Sequence, residues 1–333
     1  MCGFLFSFLF VLFLLPIFLN WLKKEGIGGQ PIRELGPKGH EGKKGTPTMG
    51  GAVVVVGVIF SLLLFTDLSL GLVWLVVFVL FGFGAIGFVD DWKKITKQNS
   101  LGLSEKQKFL AQCLLAALVG LFLFLKGFPT EISLPFAKNL VLPLGGLFFI
   151  LFCMVVVVGS SNAVNLTDGL DGLAIGSIIS IAATYGVFAY VAGHVRISDY
   201  LGVHYVPGAG ELAIILASLV GAGLGFLWYN SYPAQVFMGD LGALAIGALL
   251  GVSALIVKHE LVLIVAGGIL VIEALSVLIQ RYYFKLTGKR VFKMAPIHHH
   301  FELLGWAEPK IIVRFWIISL VLSLVSLSTL KLR

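Results

Sequence analysis

The sequence predicts an all-α, polytopic integral membrane protein with ten transmembrane helices, both termini extracytoplasmic, and a polar site on the cytoplasmic face. Three observations carry that prediction. The 333 residues are 58% hydrophobic and only 12% charged, whereas a globular domain is about one quarter charged. Uninterrupted apolar stretches of roughly 17–25 residues, the length a bilayer-spanning helix needs, recur along the chain. The loops between them differ sharply in positive charge.

The stretches are best taken in order. The first, 3–22, precedes its basic residues Lys23 and Lys24, the reverse of a cleavable signal, and reads as a retained helix. The next two, 49–66 and 69–89, are joined by a turn at Thr66–Ser69 so short that they must pack antiparallel. Then follow 109–126, 139–159, 173–193, 210–229, 241–257, 261–281 and 312–330. Gly82-x-Gly84-x-x-Gly87 fits a dinucleotide fingerprint, but it lies inside an apolar helix with no strand before it. Close helix packing explains it better, as it does Gly221, Gly225, Gly247 and Gly251. Cys2, Cys113 and Cys153 share no ligand-like spacing and suggest no disulfide framework.

Ten spans sort the loops into two alternating sets. Loops 23–48, 90–108, 160–172, 230–240 and 282–311, with Arg281 and Arg314 at their borders, hold 18 of the 24 Lys and Arg residues. The positive-inside rule makes this set cytoplasmic. The pI of about 9.3 has the same origin and calls for no nucleic-acid partner.

The polar motifs all fall on that side. Asp90 and Asp91 end the third span, where acids oppose the helix macrodipole, so a cation or a basic neighbour is expected beside them. Asn162, Asn165, Asp168 and Asp171 step by three into two Asp-Gly pairs, which predicts a helix break and a turn opening the next helix near Gly172. Asp240, in Phe237-Met-Gly-Asp240, starts the eighth span, either as a cap or as a third acid at the same depth. His298, His299 and His300 lack a zinc spacing and suit contact with an anion or a proton-transfer role. Lys43, Lys44 and Thr48 lie in a basic loop rich in Gly and Pro. Glu273, inside the ninth span where a carboxylate is costly, faces the bundle interior with Gln280, either as structure or as the back of the site.

Acids, lysines and histidines on one membrane face fit metal-assisted phosphoryl chemistry, with carboxylates holding Mg²⁺. A transporter would more naturally place ionisable groups near the midplane of two repeated halves, and no such repeat is evident. GTPTMGG (45–51), DDWKK (90–94), NAVNLTDGLDGL (162–173), FMGDLG (237–242) and PIHHHFELLGW (296–306) are motifs of a known family. On them the chain resembles the phospho-N-acetylmuramoyl-pentapeptide transferases, a branch of the polyprenyl-phosphate N-acetylhexosamine-1-phosphate transferase superfamily.

The resemblance spans essentially the whole chain, and residues 1–333 then read as a single transmembrane catalytic domain. It implies a bacterial plasma-membrane enzyme that uses Mg²⁺ to transfer phospho-MurNAc-pentapeptide from UDP-MurNAc-pentapeptide to undecaprenyl phosphate, giving lipid I and UMP. The partners are those two substrates and the bilayer; a homodimer stays open. A sister transferase using UDP-GlcNAc is the nearest alternative, and a non-enzymatic transporter a remote one. By the same resemblance Asp240 is the metal ligand and Phe237 the uracil platform. Lys43, Thr48, Asn165, Asp168, Asp171, Asn230 and Gln280 are substrate contacts. Lys94, Lys106, His299 and His300 belong to the phosphate side, and Asp90, Asp91, Asp240 and His298 are catalytic. A phosphate monoester is already mostly dianionic at pH 7, so Asp90 has little to do as a base. Direct in-line attack by the lipid phosphate is therefore expected, the rival being a covalent phospho-aspartate on Asp240 or Asp91.

Overall fold

A computed structural model describes residues 1–24, 45–97, 102–134 and 141–332. The apolar stretches form helices because every backbone amide and carbonyl in hydrocarbon must be satisfied within its own segment. In chain order the helices are α1 (Cys2–Lys24), α2 (Gly51–Phe65), α3 (Gly71–Thr96), α4 (Glu105–Leu125), α5 (Gly146–Thr167), α6 (Leu173–Ala192), α7 (Val195–Leu201), α8 (Ala209–Asn230), α9 (Gly239–Ile256), α10 (Val262–Ala266), α11 (Gly268–Thr287), α12 (Ile297–Leu303) and α13 (Glu308–Leu332). Strands β1 (Glu131–Ser133) and β2 (Val141–Pro143) lie between α4 and α5.

Eight of these helices, α1, α3, α4, α5, α6, α8, α9 and α13, are long and apolar enough to cross a bilayer. The other two expected spans differ. Helix α2 has 15 residues, about 22 Å at 1.5 Å per residue, short of a hydrocarbon core of about 30 Å. The predicted span 261–281 is interrupted at Gly267, where α10 ends and α11 begins. From Arg281 to Val291 every residue is exposed, so the end of α11 stands clear of the other helices. The all-α expectation also needs a correction. The predicted start of the fifth span at 139 is too early, because Val141–Pro143 pairs antiparallel with Glu131–Ser133, in the register Glu131↔Pro143. Pro143 and the Gly145-Gly146 pair delay the helix to Gly146.

Helix α9 is the axis of the bundle. Every residue from Gly242 to Ile256 is buried, and α3 and α5 flank it. Its small residues explain this. A Cβ at Gly242 would meet the Gly51 backbone, one at Gly247 the Ser160 carbonyl, and one at Gly251 the Ser160 hydroxyl. Gly221 and Gly225 of α8 face the Phe4 and Phe8 carbonyls of α1 in the same way, which bears out the packing reading of these glycines. Ser61 adds polar glue, donating to the Gly3 carbonyl at 3.2 Å and lying 2.8 Å from the Ser218 hydroxyl.

Candidate active site

Three acids from two distant parts of the chain converge where α3 ends and α9 begins. Asp90 and Asp91 lie near the end of α3 and are buried; Asp240 lies in the first turn of α9. One ligand atom from each falls within 4.8 Å of the others. Gly87 makes the approach possible, because a Cβ there would overlap the Asp240 carbonyl. Residues three and four positions later share its helix face, and those residues are Asp90 and Asp91. The third glycine of the false dinucleotide motif therefore sets the depth at which the acids meet.

Two lysines lie among the acids. Lys94 Nζ is 2.6 Å from Asp90 Oδ2, 2.8 Å from Asp240 Oδ2 and 3.8 Å from Asp91 Oδ1. Lys108 Nζ, from α4, is 2.6 Å from Asp240 Oδ2 and 3.8 Å from Asp90 Oδ2. Among the described residues three carboxylates thus face two ammonium groups. Asp90 Oδ1 also accepts the Leu103 N–H at 2.7 Å. Asp91 Oδ2 accepts the Leu241 N–H at 3.1 Å, satisfying one of the orphan donors of a helix N-terminus whose own cap residue, Met238, has no side-chain acceptor. The remaining Asp240 oxygen, Oδ1, accepts from Asn165 Nδ2 at 2.6 Å.

Two sequence motifs form the wall beside Asp240. Gly50 N and Gly51 N donate to the carbonyls of Phe237 and Met238, both at 2.9 Å, and Phe237 N donates to Pro47 O at 2.8 Å. Gly239 completes the join with φ +77, and a Cβ on it would lie 2.7 Å from Asp91 Oδ2 and 3.0 Å from Thr48 Oγ1. No L side chain fits that conformation and that space together. Thr48 is buried and its hydroxyl has no hydrogen-bond partner among the described residues. Phe237 is half-buried beside it.

The predicted helix break is present. Helix α5 ends at Thr167 and α6 begins at Leu173. Asp168 follows the last turn of α5. Burial, and then the charge of Asp240, push its carboxyl up to about 7. Asp171 Oδ2 accepts the Ala234 N–H at 2.9 Å, its own N–H reaches Glu308 Oε1 at 3.1 Å, and Gly172 N donates to Asn230 Oδ1 at 3.0 Å.

The structure sorts the predicted residues into two kinds. Asp90, Asp91, Lys94, Asn165, Asp168 and Asp240 come together, with Thr48 and Phe237 at the wall. Asn230 spends its side chain on backbone, accepting from Gly172 and donating to Val236 O at 2.7 Å. Gln280 does likewise, accepting from Val291 N and Phe292 N and donating to Phe292 O. His298 is fully buried; His299 Nδ1 lies 2.6 Å from Glu302, and His300 Nδ1 accepts the Lys293 N–H at 3.1 Å. Lys43 lies outside the described residues.

Lys106 is exposed and does not reach the acids; Lys108 does. Residues two apart on a helix point about 200° apart, so only one of the two could. The signal was in α4 itself. Its buried face runs through Gln112, Ala116, Val119 and Leu123, and one turn before Gln112 is Lys108. Gln112, also unforeseen, accepts from Asn162 Nδ2 at 2.7 Å and ties α4 to α5.

All three acids offer oxygen, the hard donor that suits a divalent cation such as Mg²⁺ rather than a soft metal. The glycosyl transferase family 4 model matches residues 73–258. The phospho-N-acetylmuramoyl-pentapeptide-transferase of Citrifermentans bemidjiense is 57% identical over 305 residues, covering 91% of this chain and 85% of the relative. Proteins of the same name from Geobacter sp. (strain M21) and Pelobacter propionicus match with the same identity and coverage.

Proposed function

The chain belongs to glycosyl transferase family 4, in its phospho-N-acetylmuramoyl-pentapeptide-transferase branch, and on that premise we propose a role for each group at the acid–lysine centre. The chain is a multi-pass membrane transferase that makes lipid I and UMP from UDP-MurNAc-pentapeptide and undecaprenyl phosphate. We place the centre on the cytoplasmic face of a bacterial plasma membrane, where the basic loops lie and where the water-soluble donor is found.

The observation that supports the assignment of roles is the meeting of Asp90, Asp91 and Asp240 with Lys94 and Lys108 at a single point. Asp240, with Asp90 and Asp91 beside it, would hold Mg²⁺, which when bound neutralises charge on the diphosphate and stabilises the departing UMP phosphate. Lys94 and Lys108 now rest on Asp240; they are within side-chain reach of phosphate oxygens arriving there. Asp90 is held by the Leu103 N–H and Lys94, which suits a positioning group better than a mobile base. Asp91 is fully buried and caps α9, a poor placement for a nucleophile. The lipid phosphate then attacks the sugar-linked phosphorus directly. A new P–O bond forms to the lipid oxygen, the bond to UMP breaks, and UMP leaves with the electron pair. Phe237 stacks the uracil, Thr48 and Asn165 contact the donor, and the Asp168–Asp171 turn cradles it.

UMP release by the purified protein, with and without Mg²⁺ and with both substrates, tests this reading. Turnover of UDP-GlcNAc in place of the muramoyl pentapeptide would overturn the donor assignment. A phosphorylated enzyme trapped by rapid quench without lipid would overturn direct attack.

A further inference from the structure

Glu273 and His298 form a buried ionisable pair outside the acid–lysine centre. Glu273 lies on α11 and His298 on α12, and both side chains are fully excluded from solvent. His298 Nδ1 is 3.1 Å from Glu273 Oε2. The pair lacks the alignment of a hydrogen bond, and neither the two Glu273 oxygens nor the two His298 nitrogens have another hydrogen-bond partner among the described residues. Leu170, Leu173, Ile269, Ile297 and Phe301 form the apolar cluster between these elements. In so dry a setting a carboxyl group with no polar neighbour is very costly, and the imidazole is the polar group that lies beside this one. That contact fixes the ring.

The far edge of that ring has a definite neighbour. A Cβ on Gly169 would overlap His298 Nε2, so the imidazole abuts the backbone immediately after Asp168. The Asp168–Asp171 turn is fastened at its other end by Asn230, Ala234 and Glu308. At the Asp168 end, the ring held by Glu273 is its support. Among the described residues this support connects α11 and α12 to the turn that faces Asp240.

We propose that Glu273 is a positioning residue for the transfer reaction, acting through His298 to hold the Asp168–Asp171 turn in the orientation that receives the nucleotide-sugar. This rests on the reading of that turn as the donor cradle. It makes Glu273 part of the site without contact with either substrate. It also explains a fully buried carboxylate that no substrate group is needed to satisfy.

The test is a double-mutant cycle on the purified full-length protein, with steady-state kinetics in both substrates and thermal unfolding of each variant. Glu273→Gln keeps the volume and removes the charge. Its kcat/KM should fall roughly 10–100-fold, by analogy with the loss on removing the partner that orients a metal-ligating His. The loss should appear as a raised KM for UDP-MurNAc-pentapeptide, with KM for undecaprenyl phosphate and the melting temperature little changed. Gly169→Ala, which pushes on the ring from the other side, should give the same donor-side defect. In a His298→Ala background neither substitution should cause further loss, since the element they act through is gone. Direct binding of UDP-MurNAc-pentapeptide reads the same cycle where turnover is too slow. The proposal is overturned if Glu273→Gln matches the wild type. It is equally overturned by the same fold-loss in both backgrounds, by a lower kcat at unchanged KM, or by a collapsed melting temperature, all of which describe a purely structural pair. A wild-type protein that turned over neither substrate would instead overturn the functional reading.

Discussion

Replacing Lys108 by Met, beside the same change at Lys106, separates the charge at the centre from charge on the surface. The two residues share a helix turn and a charge, so both variants keep α4 intact and lose one cation. Lys108 Nζ is 2.6 Å from Asp240 Oδ2 and its side chain is 16% exposed, so an arriving phosphate oxygen would lie within about 4 Å of it. A unit pair at that distance is worth about 4 kcal/mol at an effective dielectric of about 20. With tenfold in rate for each 1.36 kcal/mol or so, that is close to three decades, and solvent at the mouth of the site reduces it to roughly two to three. Lys106 is exposed, and a surface charge there contributes at most about 1 kcal/mol, under a decade. UMP release under saturating Mg²⁺ measures both. Lys108→Met should lose roughly 10²–10³ in kcat/KM and Lys106→Met less than about tenfold. The reasoning is refuted if the two variants are equally damaged or if Lys108→Met stays within about tenfold of wild type.

Further outcomes follow from the same geometry. Mg²⁺ should raise the melting temperature of the wild type, and Asp240→Asn should abolish both that shift and UMP release; a preserved shift would move the cation elsewhere. Gly87→Ala should leave membrane insertion intact and lose activity, because the added methyl group meets the Asp240 carbonyl; full activity would mean that α3 and α9 need not approach so closely. Gly239→Ala, at φ +77 and tight against Thr48 and Asp91, should cost about 1–2 kcal/mol in backbone strain alone, read as a lowered melting temperature. Asn230→Ala should lower the melting temperature more than it lowers kcat, since both its polar groups serve backbone; the opposite ranking would return Asn230 to the substrate.

Much of this was legible in the sequence because hydrocarbon leaves the backbone so few options. Apolar stretches such as 173–193 and 210–229 became α6 and α8 almost unchanged, and the Asp-Gly pairs marked the break at 168–172. What the pattern could not convey was pairing across distance. Nothing in Gly267 separates a helix interruption from the close-packing glycines of α9, and the short β1–β2 pair depends on a register between segments that each look like loop. The choice between Lys106 and Lys108 was recoverable, but only by following the buried face of α4 backwards from Gln112. A motif of nearby lysines shows that charge is wanted, whereas helix phase decides which one arrives.

The polar motifs themselves divide along a physical line. Wherever a membrane helix ends or breaks, orphaned amides and carbonyls must find partners at a depth where water is scarce. Asn230, Gln280 and Asp171 meet that need: Gly172, Val291 and Ala234 donate to them. These residues are polar for the sake of the fold. Thr48 is different, with its buried hydroxyl unmatched among the described residues, and so is the acid–lysine cluster, where among the described residues three carboxylates meet two ammonium groups. An imbalance of that kind is costly in a dry bundle and is relieved when a cation and a phosphate ester arrive together. Reading polarity alone merges the two groups. Residues whose polar atoms the fold has already satisfied should govern stability, and those it leaves in excess should govern turnover.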